Sequence, residues 1–141
     1  MADITMKCGL LDRIYLCFHT AASPDDAEWS AYVEDMAKSA DRFDVMLVFS
    51  AGGGPTGPQR RAVAALWQVR GRMPRIALVT PSAVVRRAGT ALNWVLRQPI
   101  KTFTPKELDA SLIYLGLDEE QRDGVKAKLA EWCSDLGLSL A

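Results

Sequence analysis

Val45-Met46-Leu47-Val48-Phe49-Ser50-Ala51-Gly52-Gly53-Gly54-Pro55-Thr56-Gly57-Pro58-Gln59-Arg60 is the stretch whose reading decides the fold. Its first five residues form a continuous apolar run, the pattern of a strand covered on both faces. Glycines and prolines from Ser50 to Pro58 break that strand and hand the chain to a helix over about Gln59 to Arg70, stopped by Gly71 and Pro74. A buried strand followed directly by a loop and a helix is the unit of an α/β sheet, and this strand is expected at its centre.

The unit repeats downstream. Ile76-Ala77-Leu78-Val79 reads as a second buried strand, Pro81-Ser82 opens a helix over about Ala83 to Leu96, and Ile100 to Phe103 is a short last strand. Thr104-Pro105-Lys106-Glu107 is a capping box with proline at the first helical position, starting a helix that reaches about Tyr114. After the break at Leu115-Gly116-Leu117, a helix over about Asp118 to Leu136 carries Val125, Leu129, Trp132, Cys133 and Leu136 on one stripe.

Upstream, Ile4 to Leu10 and Ile14 to Phe18 are apolar-rich runs joined by a tight connection. Ser23-Pro24-Asp25-Asp26 supplies an N-cap, a proline for the first helical position and first-turn acids, for a helix ending near Ala40. The expected architecture is α/β: a mostly parallel five-stranded sheet with an antiparallel first pair, flanked by helices, with an extra C-terminal helix. Residues 1–117 are read as the domain and 118–141 as an extension packed on it or on a partner.

The 141 residues are 49% apolar and 24% charged, the ordinary balance of a globular domain. No apolar run approaches the ~20 residues of a membrane span, and the N-terminus has no signal-peptide layout, so a cytoplasmic protein is expected. Cys8, Cys17 and Cys133 show no paired spacing, so buried inert thiols are expected, with neither disulfides nor a metal site. The single histidine, His19, ends an apolar run, has no obvious metal-ligand partners in sequence and is read as structural or solvent-facing and not as a catalytic base. No cofactor is implied.

The net charge is zero, yet from Val45 to Lys106 there is no Asp or Glu. Arg60, Arg61, Arg86 and Arg87 fall in early helical turns, where a cation opposes the helix dipole, so helix stability does not account for them. Gly53, Thr56, Arg60, Arg61, Arg86 and Arg87 form a candidate anion- or partner-binding edge, since helix-start amides and guanidinium forks bind phosphate, sulfate or carboxylate. The same arginines also suit the acidic first and last helices, within one molecule or between copies of it. The glycine run is not a nucleotide-binding loop: it lacks the Gly-Lys-Ser/Thr ending, and prolines replace donor amides. Nucleic acid is not an expected partner, because no basic-aromatic stripe appears. Trp67 and Trp94 are read as core or interface residues, while Trp29 and Trp132, on acidic helices, are expected to face partly outward.

The order of elements, the loop after the third strand, and the stretches VMLVFSAGGGPTGPQR (45–60), PSAVVRRAGTALNW (81–94) and IKTFTPKELDASLIYLGL (100–117) resemble the STAS domain of anti-sigma-factor antagonists. More narrowly they resemble its SpoIIAA-like group of small bacterial proteins. The resemblance implies a non-enzymatic regulatory or scaffold module that binds protein partners or itself through the edge holding that loop. It also makes Ser50 and Thr56 candidate phospho-acceptors, although no acid precedes either. The alternative from the residues alone is a small anionic-ligand domain for a phosphate, nucleotide or lipid headgroup. A catalytic centre is not expected, because the loop has neither paired carboxylates nor a base.

Overall fold

The computed structural model describes residues 4–71, 73–96 and 99–138. Arg72, Arg97 and the side chain of Trp94 fall outside that description. Five strands, β1 (Met6–Leu11), β2 (Ile14–His19), β3 (Val45–Ser50), β4 (Arg75–Val79) and β5 (Ile100–Phe103), form one sheet in the order β1-β2-β3-β4-β5. The sheet is mixed: β1 and β2 pair antiparallel, and the parallel part runs from β2 to β5. Asp12, at φ 55° in the β1–β2 turn, takes the left-handed conformation that a short polar side chain tolerates.

Each parallel step is a crossover through one helix: α1 (Asp26–Ser39), α2 (Gly57–Arg70) and α3 (Ala83–Leu96). Because the steps all move in the same direction and such connections are right-handed, these three helices fall on one face of the sheet. Met6, Tyr15, Cys17 and Met46 of that face pack with Trp29, Tyr32 and Met36 of α1 and with Trp67 of α2. Glycine at position 89 seats α3 on the sheet, since a Cβ there would lie 2.8 Å from Leu78 Cδ2 and 3.0 Å from Thr102 Cγ2.

The other face is closed by α4 (Leu108–Tyr114), which follows a 3-10 turn at Pro105–Glu107, and by α5 (Glu119–Leu136). Ile14, Leu16, Phe18, Leu47 and Val79 meet Leu112 and Leu115 near α4 and Val125, Leu129 and Trp132 on α5. Burying one such aliphatic side chain contributes about 1.5–3 kcal/mol, so both faces of the sheet carry a core. The continuous apolar runs of β2 and β3 follow from this two-sided cover.

Two local expectations are corrected. The cap of α1 is Asp25, whose side chain accepts from Glu28 N at 2.7 Å, and not Ser23; the Pro24 carbonyl is instead bonded by Gln59 Nε2 at 3.1 Å. Trp29 and Trp132 do not face outward: each is 6% exposed, because the helices carrying them lay their apolar stripes on opposite faces of the sheet.

Candidate functional site

The site is built where the parallel strands end. His19 and Ser50, the last residues of β2 and β3, are partners in the parallel register. Past them the two chains keep pairing, with Ala51 N donating to His19 O and Gly53 N to Thr20 O, both at 2.9 Å. A Cβ at Gly53 would lie 2.5 Å from the Thr20 carbonyl oxygen and closer still to that of Ala22. Only glycine lets the loop pass this near to the backbone after β2. Ser50 fixes the turn, its hydroxyl donating to Gly53 O at 2.5 Å and accepting from Gly52 N at 3.1 Å.

Thr56 then starts α2 with a capping box: Thr56 N donates to Gln59 Oε1 at 2.9 Å and Gln59 N donates to Thr56 Oγ1 at 3.4 Å. Gln59 is buried and also reaches α1, donating from Nε2 to Pro24 O and Asp26 Oδ1, each at 3.1 Å. Trp29 Nε1 completes the tie by donating to Gln59 O at 2.9 Å. The start of α2 is therefore fastened to the start of α1.

Between α2, α3 and the sheet lies a cavity of about 460 Å³. Met46, Val48, Ile76, Leu78 and Ile100 form its floor on three strands. Val63, Ala64 and Trp67 of α2, Val85, Ala88 and Gly89 of α3, and Trp29 and Tyr32 of α1 form its walls. Ala64 and Ala88 project little into the space between the two helices, while Gly89 lets α3 sit close on the floor. The polar lining gathers at the strand ends: His19, Ser23, Ser50, Arg60 and the backbone of Gly52 to Pro55. Among the described residues no carboxylate lines the cavity. The volume is that of a small-molecule pocket, and an apolar body with a few polar groups at one end is the usual composition of such sites.

Arg60 Nη1 donates to Pro55 O at 3.0 Å, which uses one of the five donors of the guanidinium. His19 is 3% exposed; its Nε2 lies 3.4 Å from Cys17 Sγ, and its Nδ1 has no hydrogen-bond partner among the described residues. Burial lowers the His19 pKa to about 4, with the Glu28 carboxylate pulling weakly the other way, so the ring is neutral at neutral pH. Trp29 stacks beside it, ring centroids 6.1 Å apart.

Of the residues singled out in the sequence, Gly53, Arg60 and Ser50 reach the cavity. Ser50 is buried with its hydroxyl engaged, whereas Thr56 is exposed and serves as the α2 cap. Arg61 and Arg87 are exposed on the second turns of α2 and α3 and stand outside the cavity lining. Arg86 also stands outside it, its Nη1 donating to Thr80 O at 2.8 Å. Arg86 and Lys101 help hold the Glu107 carboxyl below its ordinary value, after the larger effect of the hydrogen bonds from Thr104. Sequence reasoning missed His19, Trp29 and Tyr32 as lining residues, and it missed the cavity. The available signal was the short side chains Ala64 and Ala88 on two successive crossover helices.

Among the described residues no group of three or more His, Cys, Asp or Glu is placed to hold a metal ion, and no helix is long and apolar enough to cross a membrane. No family model, curated protein or solved structure matches this chain.

Proposed function

We propose that this domain binds one amphipathic anionic small molecule, its apolar body in the cavity between α2, α3 and the sheet, and its anionic end at Arg60. The observation that carries the reading is the make-up of the lining, with apolar side chains from three strands and three helices over most of it and the polar groups confined to the strand ends, the loop after β3 and Arg60. The absence of any carboxylate among the described lining residues favours an anion over a cation. Arg60 supplies charge-assisted hydrogen bonds, and the neutral ring of His19 is part of the same lining. A bare phosphate would leave the apolar floor unused, and a nucleotide lacks a matching phosphate cradle, because Pro55 and Pro58 interrupt the run of amides.

The STAS-like assignment belongs to the same reading. Its supports are the consecutive strand order, the crossovers on one face and the serine-bearing loop after β3. On that assignment the domain is a regulatory or scaffold module without catalytic chemistry of its own, and the loop of residues 51–56 forms both the cavity's polar end and the contact edge for a protein partner. A bound ligand would then set what surface that edge offers.

Thermal melting with a medium-chain fatty acid, the matching alcohol, inorganic phosphate and a nucleotide tests the reading. The fatty acid is expected to stabilise most, by about 2.7 kcal/mol at a hundred times its Kd. Equal indifference to all four, backed by calorimetry, rejects it.

A further inference from the structure

We infer that the face made by α2 and α3 docks on an anionic lipid bilayer, and that the cavity loads there. The loading rests on the ligand-binding reading above; the docking stands on the surface itself. Along α2 the exposed positions include Arg61, Ala62, Ala65 and Val69, and along α3 Val84, Arg87 and Ala88. Val69 is 88% and Val84 74% exposed, among the most exposed large apolar side chains described. Both helices lie within the stretch that lacks any Asp or Glu. Neither Arg61 nor Arg87 forms an ion pair with a carboxylate among the described residues.

Small apolar side chains interspersed with arginines, with no acid among them, are complementary to a negatively charged interface. Phosphates answer the guanidiniums, and the apolar edge of the headgroup layer takes the valines. An acidic protein surface would answer the arginines alone and leave Val69 and Val84 against polar groups. Val84 both lines the cavity and is exposed, which puts it on the rim. The same face thus brings Val84 and the cavity rim it forms against a source of apolar ligand, and a molecule entering there would pass from acyl chains to cavity with little exposure to water.

Sedimentation of the full chain with vesicles tests this. Vesicles of three parts phosphatidylcholine to one part phosphatidylglycerol are expected to carry the protein down, with pure phosphatidylcholine vesicles carrying far less. Binding is expected to fall with added salt, as the screening length shortens from about 10 Å at 0.1 M to about 3 Å at 1 M. The double variant Arg61→Ala/Arg87→Ala is expected to weaken vesicle partitioning about thirtyfold, from the attraction each basic residue has for an anionic surface. Both arginines are exposed and outside the cavity, so its melting temperature and its fatty-acid stabilisation are expected to match the parent's. Val69→Ser is expected to weaken partitioning without changing the salt dependence.

A folded parent protein that ignores anionic vesicles overturns the docking, even if it binds the fatty acid. Vesicle binding without fatty-acid stabilisation keeps the docking and overturns the loading together with the ligand reading. If the arginine variant binds vesicles like the parent but turns an oligomer into a monomer in light scattering, the face is a contact between copies and the inference fails.

Discussion

Gly53 donates its amide to the Thr20 carbonyl at 2.9 Å, and the two backbones run so close that a side chain at position 53 has no room. Gly53→Ala must push the loop off the β2–α1 connection, at a cost of about 2–3 kcal/mol, within the range for overpacking a tight site. Gly54 is the control: a Cβ there meets nothing within 4 Å and its φ is not positive, so Gly54→Ala is expected to change stability by less than about 0.5 kcal/mol. Chemical denaturation of the two variants makes the comparison. Equal effects would mean that the loop is not held at Gly53.

Arg60→Ala is expected to lower the affinity for an anionic amphiphile by about ten- to a hundredfold, the value of a hydrogen bond to a charged group. Affinity for the matching alcohol is expected to stay within about twofold. Calorimetry with both molecules reads the difference; a parallel loss for acid and alcohol would place Arg60 in the packing of the cavity and not at the anion.

His19 makes stability depend on pH. Its pKa falls from the ordinary 6.5 to about 4 in the folded chain, so between those values the unfolded chain binds the extra proton. Stability from this group is complete above about pH 6.5 and drains away as pH falls toward 4, by up to about 3 kcal/mol in total. Denaturation midpoints measured at several pH values for the parent and for His19→Gln isolate the effect. The variant's curve is expected to be flatter across that window, and identical slopes would refute the assignment.

Cys8 and Cys17 stand opposite one another in the β1–β2 register, and burial raises both thiol pKa values. Thiolate is the reactive form, so alkylation of Cys17 in the folded chain is expected to be slower by at least about a hundredfold than in denaturant. Cys8, only partly buried, is expected to react faster than Cys17. Peptide mass mapping after timed alkylation reports both rates.

Much of this architecture was legible because apolar runs and caps are local signals. The run from Val45 to Phe49 reads as a two-sided strand, and the structure places it between β2 and β4. Thr104 and Glu107 read as a capping box and form one. The cavity was not legible, since Val63, Ala64 and Trp67 give the same helical stripe whether they touch a sheet or face a gap. What separates those cases is the fastening of α2 at Gln59 by Trp29, a bond 30 residues long in sequence. Arginine positions were legible but their directions were not. Arg60 turns to the Pro55 carbonyl beside the cavity and Arg86 to that of Thr80, partners set by the path of each loop and not by the arginines' spacing.

Strand order that copies chain order has a consequence for assembly during synthesis. Every strand after the first can add to an edge already formed, so the sheet and its three crossover helices need only neighbours that have already left the ribosome. The opposite face cannot be completed this way. Its cover over β1 and β2 is α5, and the bond from Gln121 to Asp12 spans 109 residues. Until α5 emerges, Ile14 and Leu16 have no roof, and the nascent domain presents a greasy flank to chaperones and to other chains.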